Sequence, residues 1–142
     1  MTGLSPASKS RRQLALLLRG IGCLDLLALI AVVMPQHWMD VGHKFLGLGS
    51  IPQAPIVGYL ARSTSALYAL HGAMVLFMSF DVERYERLIR FMALAALIHG
   101  AVILGIDFGE GLPGMWRYGE GPAFAATGLA VLWLLRKGHR ES

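Results

Sequence analysis

Charged residues and cysteines are scarce in this 142-residue chain. Only 15% of its residues are charged whereas 55% are apolar, and a soluble domain of this length cannot bury such an apolar fraction. The single cysteine, Cys23, cannot form an internal disulfide, and its place inside an apolar segment is typical of a small packing residue. The composition therefore excludes an ordinary soluble fold and predicts an integral membrane protein.

Catalytic motifs are also absent from the sequence. It contains no HExxH zinc motif, no CxxC pair, no nucleophile elbow and no phosphate-binding GxxxxGK loop. Glu83 and Glu86 alternate with arginines in a predicted turn, which is typical of a solvated charge cluster. The chain has room for one domain and for no separate catalytic domain. We therefore favour a non-enzymatic protein, and predict no metal and no cofactor.

Four apolar segments approach the roughly twenty residues that a helix needs to cross about 30 Å of hydrocarbon. Pro35 stops the first segment, Pro55 opens the second and Asp81 closes it. The predicted fold class is all-α, an integral membrane four-helix bundle. Its domain covers residues 14–136 between tails at 1–13 and 137–142, and its spans are 14–34, 56–80, 87–106 and 120–135.

Basic residues predict the orientation, because short loops rich in lysine and arginine resist translocation. Nine lie before the first span, around the connection between the second and third spans, and after the fourth, whereas the two other loops hold only Lys44 and Arg117. Both termini should therefore be cytoplasmic. Positive charge at segment ends also argues against nucleic acid as a partner. The nine residues are Lys9, Arg11, Arg12, Arg84, Arg87, Arg90, Arg136, Lys137 and Arg140.

The two external loops should cover residues 35–55 and 107–119. In the first of them, Trp38, Val41 and Phe45 recur at helical spacing, with polar residues on the other faces. This pattern predicts a short helix lying at the membrane interface. An interfacial anchor is the favoured role, and a lid over a pocket is the alternative.

Ionisable residues within apolar segments are the strongest functional signal, because a charge at mid-bilayer costs about 2.5–3.5 kcal/mol on insertion scales. Asp25 lies halfway along the first span, with Gly22 on the same face, and His99 lies at similar depth in the third span. A hydrogen bond between Asp25 and His99 is therefore predicted. The favoured role is a polar clamp between helices, and the alternative is a proton or substrate site.

A second polar group lies in the second span, where Thr64, Tyr68 and His71 share one helix face. Histidines on two spans raise the hypothesis of a haem with His71 and His99 as axial ligands. His71 should lie several ångströms nearer the cytoplasm than His99, at about 1.5 Å rise per residue. A hydrogen-bonded histidine in the bundle core is therefore favoured over haem.

A third group is predicted near the outer surface, where Arg62 begins the second span, Asp107 ends the third and Glu120 begins the fourth. All three should lie at about the same depth. An ion-pair network that holds the helix ends together is the favoured role. The same residues could instead bind a small polar or anionic ligand through Arg62.

Small residues at every fourth position predict close helix packing. They are Ala61, Ser65, Ala69 and Ala73 in the second span, Ala96 and Gly100 in the third, and Ala126 and Ala130 in the fourth.

The chain also resembles the small bacterial DoxX-like four-helix membrane proteins over most of its length. The matching residues are Arg19-Gly20, Pro35, Arg62, Gly72, Asp107, Gly109, Pro113 and the run Glu120-Gly-Pro. The resemblance implies a four-helix fold in a bacterial inner membrane, and it transfers no functional residue. Some DoxX-like proteins are linked to quinone-related electron transfer, but no quinone motif can be matched to a residue here.

Three function classes remain. We favour a non-enzymatic membrane component, embedded in the lipid bilayer, that packs with itself or with a larger membrane complex. A small proton-coupled transporter that uses Asp25 is the first alternative. A redox subunit with haem or quinone is the second.

Overall fold

The computed structural model describes the backbone of residues 6–140 and the side chains from residue 9 onwards. Within this range the chain is helical and contains no β-strand, so the all-α class is confirmed. The outermost parts of the predicted tails, residues 1–5 and 141–142, lie outside the described residues. The helices are α1 (Pro6–Leu26), α2 (Leu29–Val33), α3 (Gln36–Phe45), α4 (Pro55–Met78), α5 (Glu86–Gly109) and α6 (Gly114–Arg140).

Several helices extend beyond the apolar segments that predicted them. α1 already begins at Pro6, because a formed helix continues readily through polar residues such as Arg11 and Arg12. α6 begins at Gly114, so the loop predicted at 107–119 shrinks to residues 110–113. Pro122, which resembled a helix start, lies inside α6 and removes only one backbone donor there.

The first predicted span is interrupted rather than continuous. Across residues 27–28, the amides of Leu27 and Ala28 bond to the carbonyl oxygens of Leu24 and Asp25, each at 3.1 Å. These bonds reach back three residues instead of four, which is the tighter 3₁₀ winding that often marks a hinge. The break therefore begins directly after Asp25.

Two helical stretches, Lys9–Val33 and Glu86–Gly109, are long and apolar enough to cross a membrane. α4 and α6 have 24 and 27 residues, which also suffices in length. Both helices carry polar residues within their length: α4 carries Arg62 and His71, and α6 carries Arg117 and Glu120. By length and composition, two of the four predicted spans qualify.

The chain forms two compact units. The first combines the chain up to Arg19 with the chain from Phe77 onwards, and the second is Gly20–Leu76. α5 and α6 belong to the first unit, and α2, α3 and nearly all of α4 to the second.

Glycines let α5 and α6 approach each other closely in the first unit. A Cβ added to Gly100 would lie 2.6 Å from the carbonyl oxygen of Gly121, and one added to Gly128 would lie 2.6 Å from that of Ala93. Gly100 was predicted as a packing residue, but its partners on α6 are Gly121 and Ala125. The buried apolar side chains of this unit are Leu14, Leu18, Met78, Ile89, Ala93, Val131, Leu134 and Leu135.

α3 is the short helix predicted in the first external loop, and it lies in the second unit. The Asp40 carboxylate pairs with Lys44 at 2.6 Å and accepts a hydrogen bond from the Ile51 amide at 2.8 Å. The bond to Lys44 first, and then the bond from Ile51, lower the pKa of Asp40. Gly47 and Gly49, with φ of 76° and 77°, turn the chain back towards α4. None of the α3 side chains is fully buried.

Replacing Gly121 by alanine should destabilise the first unit, because the new Cβ would lie 2.6 Å from the Gly100 carbonyl oxygen and 3.0 Å from Leu104. We expect the free energy of unfolding to fall by about 1–3 kcal/mol, measured by thermal unfolding of the protein in mild detergent. Gly105→Ala is the matched control, since nothing lies within 4 Å of its Cβ position. The control should be neutral or stabilising by up to about 1 kcal/mol. Equal stability of both variants would contradict the close packing.

Candidate functional site

An aspartate and a histidine form a hydrogen bond in the second unit. Nδ1 of His71, on α4, lies 2.8 Å from Oδ2 of Asp25, on α1. An ionised carboxylate can only accept, so Nδ1 donates in that state. The Asp25 side chain is 19% exposed and the His71 side chain 39%. The pair therefore lies at the edge of the protein rather than in its core, directly before the break between α1 and α2.

Two glycines bring α1 and α4 close enough for this bond. A Cβ added to Gly22 would lie 2.8 Å from the carbonyl oxygen of Gly72. One added to Gly72 would lie 2.7 Å from the Gly22 carbonyl oxygen and 2.8 Å from the Asp25 Cβ. Neither position accepts a side chain unless the helices move apart. The close approach expected at Gly22 is therefore present, whereas the packing role of Gly72 was missed because Gly72 lies outside the predicted stripe of small residues.

The structure gives the predicted partners Asp25 and His99 different neighbours. The Asp25 carboxylate bonds to His71, which the sequence had assigned to a separate polar face. The His99 ring packs edge-on against Phe124 in the first unit, with 4.7 Å between ring centroids. Depth estimated from the sequence is uncertain by about one helical turn, about 5.4 Å, which is too coarse to choose between two histidines. Of the other predicted members of the His71 face, Thr64 is exposed and Tyr68 is half-buried.

Arg62 binds the carbonyl end of α2. Its Nε donates to the carbonyl oxygen of Val32 at 3.1 Å, and its Nη2 donates to that of Met34 at 2.9 Å. The last carbonyls of a helix lack helical donors, and Pro35 has no N–H to supply. The Arg62 guanidinium therefore caps this helix end, a role that the sequence analysis did not assign to it.

The other two members of the predicted outer cluster, Asp107 and Glu120, lie in the first unit. Asp107 is 2% exposed, close to the end of α5. Among the described residues, its buried Oδ2 has no hydrogen-bond partner, and the same holds for Nε1 of Trp116 and Nε of Arg117. The corner between α5 and α6 thus holds buried polar atoms with unused hydrogen-bonding capacity. The ion-pair network with Arg62 stays a prediction.

A second polar site lies in the first unit, where α1 begins and α6 ends. Arg11 pairs with Glu83, and Glu86 lies 3.0 Å from Nη2 of Arg90 and 3.4 Å from Nε2 of His139. A cavity of about 130 Å³ is bordered by Arg11, Glu83, Glu86 and His139. The apolar part of its lining consists of Leu14, Val82, Leu134 and Leu135.

His139 was missed by the sequence analysis, although it sits in the last turn of α6, where cations are favoured. Its Nδ1 lies 3.0 Å from the Leu135 carbonyl oxygen, and its Nε2 faces the Glu86 carboxylate. A carbonyl and an ionised carboxylate can only accept hydrogen bonds. Each ring nitrogen of His139 therefore faces an oxygen acceptor.

No protein-family model, curated protein or solved structure matches this chain. The resemblance to DoxX-like proteins therefore stays a prediction.

Replacing Asp25 or His71 by alanine should lower the free energy of unfolding by about 1–3 kcal/mol each, because each change leaves the other partner without its hydrogen bond. The double variant should cost less than the sum, with a coupling of about 0.5–3 kcal/mol. Unfolding of the wild type, the two single variants and the double variant in detergent measures this coupling. Thr64→Ala, at an exposed position on the same helix, serves as the control and should not couple to Asp25→Ala. Additive effects of Asp25→Ala and His71→Ala would show that the bond does not contribute.

Proposed function

We propose that the protein is a small multi-pass membrane protein in which α1 with α2, α4, α5 and α6 all cross the bilayer. A stripe of exposed apolar side chains along one face of α5 carries this proposal. From residue 88 to residue 106 the helix rises about 27 Å at 1.5 Å per residue, which matches about 30 Å of hydrocarbon. The stripe consists of Leu88, Phe91, Leu94, Ile98, Val102 and Ile106.

The low burial of the two most apolar stretches supports the same proposal. Only 17% of the apolar window in Glu86–Gly109 is buried, and 11% of that in Lys9–Val33. A core helix of a soluble protein hides most of its apolar surface, and monomeric soluble proteins rarely expose continuous apolar patches of this extent. Lipid is the solvent in which such a surface is stable.

α4 also fits a membrane environment, because its two strongest polar groups are engaged within the second unit. Arg62 binds two carbonyl oxygens, and His71 binds Asp25. Intramembrane polar groups are tolerated when they are paired in this way. Most of the exposed side chains of α4 are apolar, and they include Leu60, Leu67, Leu70 and Met74.

The proposed orientation places both termini in the cytoplasm of a bacterial cell and the protein in its inner membrane, following the nine basic residues. α3 would then lie in the external headgroup region. Its exposed Trp38, Val41 and Phe45 would face lipid, while the Asp40–Lys44 pair would face water.

Within this membrane setting we infer a non-enzymatic component that packs with itself or with a larger complex. Two members of the predicted small-residue faces, Ala73 on α4 and Ala126 on α6, are exposed. Small exposed residues let a helix of another chain approach closely in lipid. These positions therefore suit contact with a second copy or a partner subunit.

The crossings of α4, α5 and α6 and the proposed orientation can be tested with single cysteines introduced after Cys23→Ala. A membrane-impermeant maleimide should label Ser50→Cys and Glu110→Cys in intact cells, but Arg84→Cys and Arg140→Cys only after permeabilisation. The protein should also remain in the membrane fraction after an alkaline carbonate wash. Labelling of Ser50→Cys and Arg84→Cys on the same side would contradict a crossing by α4. Release by carbonate would contradict membrane insertion altogether.

Proton-coupled transport is a second candidate, and one observation favours it. The Asp25–His71 bond lies directly beside the 3₁₀ break between α1 and α2. A change of protonation there would act on a segment in which the α-helical hydrogen bonding is already interrupted.

Proteoliposomes with an internal pH-sensitive dye test this candidate. The wild-type protein should dissipate an imposed pH gradient, and Asp25→Asn should slow this by about tenfold or more, since it removes a titratable group. Thr64→Ala should behave like wild type. If the wild-type protein does not dissipate the gradient, or if Asp25→Asn does so equally fast, the pair is a structural clamp.

A haem- or quinone-linked redox role stays a prediction. The visible spectrum of the purified protein and the ligands extracted from it would test this role.

A further inference from the structure

Three separate parts of the chain meet at one end of the first unit. Arg11 on α1 pairs with Glu83 in the turn before α5, and His139 on α6 contacts Glu86 on α5. A Cβ added to Gly138 would lie 3.9 Å from the Cβ of Ser10. The nine basic residues named above therefore lie at the same end of the first unit, which we call the basic end.

The carboxylates at the basic end already accept hydrogen bonds from neighbouring groups of the chain. The described residues of the basic end include nine lysines and arginines but only three acids. Positive charges therefore exceed negative charges there by six. Glu83 binds Arg11, Glu86 binds Arg90, and Asp81 accepts a hydrogen bond from the Arg84 amide. Among the described residues, the exposed side chains of Arg12, Arg87, Arg136 and Arg140 have no carboxylate partner.

Two cations, Lys137 at the basic end and Arg19 further along α1, lie over exposed aromatic rings. The Arg19 guanidinium is 5.4 Å from the centre of the Phe80 ring, and the Lys137 ammonium is 5.3 Å from that of Trp133. Phe80 and Trp133 are both exposed. Cations that extend along exposed aromatic rings are typical of the boundary between acyl chains and headgroups. These two pairs therefore mark a headgroup level at the basic end.

We propose that the basic end is a binding surface for the phosphodiester headgroups of anionic phospholipids. Arg12, Arg87, Arg136 and Arg140 bind the phosphates, because a guanidinium matches phosphate oxygens in a two-pronged geometry. The exposed Leu88 and Phe91 begin the apolar stripe of α5 and provide a surface for the acyl chains. A soluble phosphate would make no use of this adjoining apolar surface, so a lipid fits the site better. The surface presupposes the membrane insertion proposed above and adds a lipid preference to it.

Native mass spectrometry of the full chain in detergent, with equal amounts of phosphatidylglycerol and phosphatidylcholine, tests this lipid preference. The wild-type protein should retain phosphatidylglycerol over phosphatidylcholine by about tenfold or more, since several cations contribute at the surface. Arg12→Gln with Arg136→Gln should lose most of this preference. Lys44→Gln with Arg117→Gln removes the same charge elsewhere and should keep it. If that control does not fold, Lys44→Gln alone replaces it.

Several outcomes would overturn the proposal. Equal retention of both lipids by the wild-type protein would show that the basic end has no headgroup preference. Loss of the preference in the control variant would show that net charge alone decides. Displacement of phosphatidylglycerol by equimolar inorganic phosphate or by an oligonucleotide would assign the surface to a soluble anion. Release of the chain by the carbonate wash would instead remove the membrane proposal, so the two failures are distinguishable.

Discussion

Close backbone contact between paired helices is the constraint on which the rest of this structure depends. In the second unit Gly22 and Gly72 leave no room for a Cβ on either side, and in the first unit Gly100 meets Gly121 in the same way. At this separation, side chains beside the contact reach across the helix pair. The Asp25–His71 bond at 2.8 Å is one consequence of such an approach. Helices separated by ordinary side chains would hold these two groups apart.

Two polar side chains of α4, Arg62 and His71, bond to groups at and beside the break in the first predicted span. Arg62 donates to carbonyl oxygens at the end of α2, and His71 shares a hydrogen bond with the Asp25 side chain, which precedes the break between α1 and α2. In a low-dielectric environment an unpaired group of either kind is costly. Both interactions therefore stabilise the irregular part of the first predicted span, and both lie within a short stretch of the chain.

The basic end carries an excess of positive charge, unlike the paired groups of the second unit. At the basic end, carboxylates neutralise only part of the positive charge, whereas Asp40 and Lys44 on α3 neutralise each other. An excess of exposed cations is stable where water, counterions or anionic headgroups surround it. The proposed orientation and the proposed lipid surface thus have one physical cause, the unpaired arginines beside apolar helices.

The sequence by itself determined the helical class, the apolar stretches, the short helix after Pro35 and the grouping of basic residues, because these depend on local composition and periodicity. Tertiary structure alone decided that Asp25 bonds His71 rather than the predicted His99, that Arg62 caps α2, and that Gly72 and Gly121 are contact points. A hydrogen bond forms only when donor and acceptor lie about 3 Å apart. Helical periodicity locates a residue only to within about one turn. The close approach of α1 and α4 at Gly22 and Gly72 therefore decides that Asp25 bonds to His71.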